Sequence, residues 1–100
     1  MIYLDNSATT KPCAACVETM QHLLLRAWGN PSSVHQLGID AERCLRAARG
    51  QVAKALGAEE GRVFFTSGGT EADNWAIFGT AERLAKRGRH IVTTAVEHHA

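Results

Sequence analysis

The sequence predicts an α/β fold in which helices pack with a mostly parallel sheet. One observation behind this prediction is a βαβ pattern over residues 62–94, where two short apolar runs flank a glycine turn and a helical segment. The other is the helical spacing of apolar residues in two long segments earlier in the chain. A crossover of this length favours parallel strands joined by a right-handed connection.

The first predicted elements are a short apolar strand at residues 2–4 and a polar loop at residues 5–10, rich in side chains that hydrogen-bond their own backbone. Pro12 then suits the first position of a helix. Apolar residues recur at helical spacing as far as Ala27, and Gly29 is the predicted stop. We therefore expect a first helix between Pro12 and Gly29.

This first helix carries a Cys-x-x-Cys pair, Cys13 and Cys16, a spacing found in redox and metal sites. Both cysteines fall on the apolar stripe and no second ligand pair follows, so burial as small apolar side chains is the favoured interpretation. A redox or metal-binding role is the alternative. No metal site is predicted, and three cysteines predict no disulfide framework.

The second helix is predicted over residues 36–56, with Gly57 at its end. The side of this helix opposite its apolar residues is charged. On that side, Glu42 and Arg46 stand in the order that favours an i,i+4 ion pair. Such charges are typical of a solvated face rather than of a nucleic-acid site. His35 precedes the helix and is expected to be a loop or capping histidine. One apolar stripe follows the helix: Leu37, Ala41, Cys44, Leu45, Ala48, Val52 and Ala55.

The chain is organised around residues 62–78, which predict a strand, a tight Ser67-Gly68-Gly69 turn and a third helix that begins at Thr70. Such a turn leaves backbone N–H groups pointing towards one spot, where the helix dipole favours an anion, most naturally a phosphate. Ser67 and Thr70 can each add a hydroxyl donor. The alternative is a purely structural glycine turn in which Thr70 is the N-cap and Asp73 completes the cap.

The third helix is expected to extend to about Arg87, with Gly88 ending it, and its apolar residues 75–78 predict deep burial. Residues 90–94 should then form the second strand of the βαβ unit. Because ligands of open α/β sheets lie beyond the carboxyl ends of the strands, the glycine turn and the histidines at 98 and 99 are expected at the same edge.

The composition is that of an ordinary globular segment: 100 residues, 45% hydrophobic, 21% charged, with a formal net charge of +1. It favours neither a nucleic-acid nor a membrane partner. The longest apolar run covers only residues 13–17, which is too short to cross a bilayer. No secretory signal is recognisable, so a cytoplasmic location is expected.

Four segments, in order along the chain, carry a resemblance to a known family: YLDNSATTKP at residues 3–12, GNPSSVHQLG at 29–38, FTSGGTEADNWAI at 65–77 and VEHHA at 96–100. Together they resemble the opening of a NifS/IscS-type cysteine desulfurase. The resemblance implies pyridoxal 5′-phosphate (PLP) as cofactor and the aspartate aminotransferase-like fold, fold type I, in its class V branch. Residues 1–14 would then contribute to the small domain, and residues 15–100 would begin the large PLP-binding domain.

The resemblance also implies roles for individual residues. Gly69 and Thr70 would hold the phosphate of PLP, and His98 would stack on the pyridine ring and move protons as a catalytic residue. The segment around His35 would approach the active site. Ser7 departs from the family's more usual alanine, and His99 stands where lysine or serine is more common.

The activity implied by the resemblance is conversion of L-cysteine to L-alanine, with the sulfur passed to an enzyme cysteine and on to an acceptor such as an iron–sulfur scaffold. The full-length enzyme would be a homodimer. The lysine that bonds PLP and the nucleophilic cysteine match no segment here, so the chain alone is expected to be inactive. Its lysines and cysteines lie elsewhere than the family's reactive ones: Lys11, Lys54, Lys86, Cys13, Cys16 and Cys44.

Two alternatives remain open at the level of sequence. One is a stand-alone module that binds a phosphate ligand or another protein and reuses the glycine turn. The other lies within the same family, because these segments do not separate a cysteine desulfurase from a selenocysteine lyase or a class V aminotransferase.

Overall fold

The computed structural model describes residues 1–100, and its regular elements are three α-helices and one short 3-10 helix. Helix α1 spans Ala14–Arg26, α2 spans Gln36–Leu56 and α3 spans Gly69–Leu84; the 3-10 helix is Glu60–Arg62. The chain divides into two units, Met1–Val63 and Phe64–Ala100. The first unit holds α1, α2 and the 3-10 helix, and the second holds α3.

Helix α2 has the predicted bounds, and its end is explained by Gly57. This glycine adopts the left-handed conformation (φ 63°, ψ 28°), and its amide donates to the carbonyls of Ala53 and Lys54. Those bonds satisfy carbonyl groups that the last turn of a helix leaves without partners. Arg49 donates through Nε to the Val63 carbonyl at 3.1 Å, which ties α2 to the segment after the 3-10 helix.

The loop before α2 is closely packed against the first turn of that helix. The Asn30 side chain accepts from the Ser32 amide at 2.9 Å, and the Asn30 carbonyl accepts from the Ser33 amide at 2.9 Å. A Cβ on Gly38 would collide with the Ser33 carbonyl, and one on Gly29 would collide with the Leu37 carbonyl. The two glycines are therefore required because backbone segments approach each other closely.

No strand is formed at either position of the predicted βαβ unit, so only its helix is observed. Val63 is extended (φ −102°, ψ 119°), but neither residues 63–65 nor residues 90–94 form a β-strand. The physical reason is that a strand is defined by hydrogen bonds to a neighbouring strand, and an apolar sequence alone does not supply that neighbour. The sheet remains a prediction.

The predicted burial of α3 is wrong for these 100 residues. Trp75 is 56% exposed and Phe78 is 68% exposed, and Phe64 only meets the edge of Trp75, with ring centroids 5.5 Å apart. Cys13 and Cys16 are exposed as well, against the expectation that they are buried, and so is Cys44. Amphipathic spacing identifies the face that needs a partner, but burial also requires that the partner is present. Of the apolar residues, only Ala41 and Ala53 are buried.

No helix is both long enough and apolar enough to cross a membrane.

Candidate functional site

The glycine turn leads directly into α3, as the sequence predicts, but Gly68 rather than Thr70 is its N-cap. The Gly68 carbonyl accepts the first helical bond, from the Ala72 amide at 3.1 Å. It also accepts a bond from the Thr66 hydroxyl at 3.1 Å. Thr70 is therefore the second residue of the helix, and its amide lies in the first turn, where helices leave N–H groups without backbone partners.

Ser67 does not offer its donors to the open end of the helix. Its backbone N–H and its hydroxyl each donate to Glu71 Oε2, both at 2.6 Å. Hydrogen bonds to the ionised carboxylate, the hydroxyl bond first and the amide bond second, lower the pKa of Glu71. Glu71, and not Asp73, is therefore the acidic residue that bonds back to the turn, at the residue before the N-cap. This corrects the expected roles of Ser67 and Asp73.

The geometry of the turn fits a phosphate group. No side chain caps the N-terminus of α3, and the amides of Gly69 and Thr70 have no hydrogen-bond partner in the chain. The space where a Cβ of Gly68 or Gly69 would stand is open to 4 Å, so an anion can approach the backbone there. The Thr70 carbonyl accepts from Asn74 Nδ2 at 2.8 Å, while its hydroxyl is free to donate. The turn thus presents two amides and one hydroxyl at the positive end of a helix.

His98 makes no hydrogen bond or ring contact with the glycine turn. Its ring stacks on that of His99, with centroids 4.2 Å apart and planes inclined by 27°, and its Nδ1 accepts from the Ala100 amide at 3.1 Å. A tight turn precedes it, in which the Thr94 hydroxyl donates to Glu97 at 2.8 Å. The phosphate-binding and ring-stacking residues implied by the resemblance are therefore not brought together in this structure.

His35 is the N-cap of α2, and its Nδ1 accepts from the Gly38 amide at 3.4 Å. The capping role expected from its position is thus observed. Near the start of α1, Cys16 Sγ lies 3.9 Å from Met20 Sδ. No group of three histidine, cysteine or acidic side chains is close enough to hold a metal ion.

Comparison with known proteins decides which family this arrangement belongs to. The aminotransferase class-V family matches residues 2–100, which is almost the whole chain. The chain belongs to this family. The resemblance carried by the four sequence segments is thereby confirmed, and the open N-terminus of α3 in this class V chain lies within one of those segments.

The class V chain is also similar to proteins named as cysteine desulfurases. It is 48% identical over 99 residues to "Cysteine desulfurase IscS" of Methanosarcina thermophila, covering 99% of this chain and 24% of that protein. It is 51% identical over 98 residues to the "NifS/IcsS protein homolog" of Lactobacillus delbrueckii subsp. bulgaricus, covering 98% of this chain and 26% of that protein. "Cysteine desulfurase" of Trichormus azollae is 50% identical over 101 residues, which is 25% of its length.

The class V chain thus spans about a quarter of the length of the curated relatives it matches. No solved structure matches it.

Proposed function

We propose that this chain is the N-terminal part of a PLP-dependent cysteine desulfurase that converts L-cysteine to L-alanine and transfers the sulfur to an enzyme cysteine. The observation that carries the proposal is the 46–51% identity to proteins named as cysteine desulfurases or as a NifS homologue, over nearly every residue of the chain. The local geometry of the glycine turn supports it, since it offers the donors that a phosphorylated cofactor needs.

In the proposed enzyme, the amides of Gly69 and Thr70 and the Thr70 hydroxyl hold the phosphate of PLP. PLP supplies the electron sink that stabilises negative charge on the substrate carbon. His98 lies over the pyridine ring and moves protons, which requires that the chain end moves from its present stack on His99. The exposed faces of His98 and His99 leave that rearrangement sterically open.

In this proposal, the remainder of the longer protein supplies the groups that the 100 residues do not contain. It supplies the lysine that bonds PLP, the nucleophilic cysteine, and the strands that pair with residues 63–65 and 90–94. Residues 1–14 contribute to its small domain and residues 15–100 begin its large domain. The homodimer, the cytoplasmic location and the iron–sulfur scaffold as sulfur acceptor belong to the same proposal and rest on the sequence resemblance.

The test of the proposal is to incubate the full-length protein with PLP, L-cysteine and a thiol reductant and to measure alanine and sulfide. We expect equal amounts of both products. In a second incubation that also contains pyruvate, transfer of the cysteine amino group to pyruvate, giving alanine without sulfide, would instead identify a class V aminotransferase. The 100-residue chain alone should release no sulfide.

A single substitution ties the activity to the turn. Thr70→Ala removes one of the proposed phosphate donors and should lower the PLP affinity of the full-length protein by about three- to tenfold, in line with the usual loss from one hydrogen bond. Thr80→Ala, an exposed threonine in the same helix, is the matched control and should leave the affinity unchanged. Equal affinities of the two variants would contradict the assignment of Thr70.

A further inference from the structure

We infer that Glu71 is a positioning residue for the phosphate: it engages both donors of Ser67 and so fixes the turn in the shape that leaves Gly69 and Thr70 to bind the anion. This inference rests on the proposed function, and it adds one residue to the binding site and removes another. Glu71 acts without touching the phosphate, and Ser67, which the sequence offers as a hydroxyl donor, is not a phosphate ligand.

The contacts of Ser67 are the first support. Its N–H and its hydroxyl both end on the same oxygen, Glu71 Oε2, at 2.6 Å each. Bonds of this kind between neutral donors and a carboxylate are about twice as strong as those between neutral groups. Since a serine has one backbone and one side-chain donor, both are already used, and an anion can take them only by displacing Glu71.

The connection from Ser67 to the amides of the first turn is the second support. A Cβ at Gly68 or Gly69 would meet nothing within 4 Å, so no packing at those positions fixes the conformation of the turn. The turn is fixed instead at its edges, by the Thr66 bond to the Gly68 carbonyl at 3.1 Å and by the two bonds of Glu71. Loss of Glu71 therefore frees a glycine-rich segment whose conformational entropy must be lost again when the phosphate binds.

The direction in which phosphate affinity changes when Glu71 is removed distinguishes ordering of the turn from repulsion of the anion. A carboxylate beside an anion site lowers affinity through its charge, whereas a carboxylate that orders the site raises affinity through preorganisation. Both hydrogen bonds of the Glu71 carboxylate are to Ser67, one residue before the N-cap, and neither is to the amide of Gly69 or Thr70. We therefore expect the ordering effect to exceed the repulsion, with Glu71→Ala weakening and not strengthening binding.

The experiment uses the full-length protein without cofactor and titrates it with pyridoxine 5′-phosphate, which cannot bond a lysine, and with pyridoxine as the probe that lacks phosphate. Glu71→Ala should weaken binding of the phosphorylated probe about tenfold, a loss expected from one or two hydrogen bonds. Glu71→Gln keeps an acceptor oxygen and should recover affinity to within about threefold. Glu82→Ala is the matched control, because Glu82 is exposed in the same helix and forms no ion pair.

A double-mutant cycle decides whether Ser67 acts through Glu71. Ser67→Ala should weaken binding in the wild-type background and have no further effect in Glu71→Ala, because the shared contact is already lost. An additional loss in the Glu71→Ala background would show that the Ser67 hydroxyl contacts the phosphate, and unchanged or tighter binding by Glu71→Ala would show competition. Either result overturns the inference.

Failure of the proposed function gives a different result. If wild-type protein binds pyridoxine 5′-phosphate no better than pyridoxine, the turn is not a phosphate site and both proposals about it are wrong. If it prefers the phosphorylated probe but Glu71→Ala behaves as wild type, only the role of Glu71 is wrong. The Ser67 amide resonance, assigned by its change of position in Ser67→Ala, reports the contact itself and should shift in Glu71→Ala, which has lost the acceptor.

Discussion

At the residue scale, the contact between Ser67 and Glu71 changes how the glycine turn is understood. The sequence offers Ser67 as an anion donor, or, in the purely structural alternative, Thr70 as the cap. The structure makes Gly68 the cap and engages Ser67 with Glu71. A serine followed by an acidic residue near the start of a helix is a capping signal, but here the spacing is four rather than three. The sequence contains this signal, but the backbone path through the two glycines decides which donors the acidic side chain accepts from.

Acidification should weaken the start of α3. Hydrogen bonds to the charged form lower the pKa of Glu71 in the folded turn below its value in the unfolded chain. The stabilisation is therefore fully present above the unfolded-state pKa and is lost as the pH falls through the lowered folded-state pKa. We expect the Ser67 amide resonance and the helicity of the first turn to change together over that range, measured by NMR.

Two variants check that this pH dependence belongs to Glu71. Glu71→Gln should remove the acid-dependent change at Ser67, since the amide does not titrate. Glu82→Gln should retain it, because this glutamate is exposed and forms no ion pair. Persistence of the change in Glu71→Gln would assign it to another group.

At the element scale, the helices were the predictable part of the fold. The bounds of α2 agree with the sequence prediction, and α1 and α3 differ from it by a few residues at their ends. Helical spacing and the glycine stops are local properties, so they can be inferred without knowing what packs where. The strands cannot be inferred from local properties, because an extended segment becomes a strand only through hydrogen bonds to another segment.

Glycine-to-alanine substitutions at the end of α2 and inside α3 should have opposite effects. A Cβ at Gly57 or at Gly79 meets nothing within 4 Å, but only Gly57 has a positive φ. Gly57→Ala should therefore destabilise the end of α2 by about 1–2 kcal/mol, the cost of a left-handed residue. Gly79→Ala should stabilise α3 by about 0.5–1 kcal/mol through lower backbone entropy.

The measurement is residue-specific helicity from Cα chemical shifts, which reads each helix separately. The two substitutions serve as controls for each other, because the added methyl group and the open surroundings are the same. A gain of helicity at the end of α2 in Gly57→Ala would show that the left-handed cap does not end this helix.

At the scale of the whole molecule, the main feature is how little of the chain is buried. Ala41 and Ala53 are the only hydrophobic residues that are buried. Large side chains remain exposed: Ile77 is 55% exposed and Val92 is 83% exposed. Burial of apolar surface is the main favourable term in folding. The helices are therefore ready to pack against partners that the longer protein is proposed to supply.

The isolated 100-residue chain should accordingly lack a cooperative thermal transition. We expect a broad loss of ellipticity on heating, dye binding by the exposed apolar faces, and no agreement between calorimetric and van't Hoff enthalpies. The full-length protein should show a sharp transition under the same conditions. A sharp, two-state, monomeric transition of the isolated chain would instead favour the stand-alone phosphate-binding module.

The sequence by itself determined the family, the positions of the three helices and the location of the glycine turn, because motifs, helical periodicity and glycine stops are written in neighbouring residues. Only the tertiary structure decided that Gly68 caps α3, that Ser67 is held by Glu71, and that His98 stacks on His99 instead of meeting the turn. It also decided that the cysteines and the apolar face of α3 are exposed. Contacts and burial depend on which groups meet in space, and periodicity alone does not contain that information.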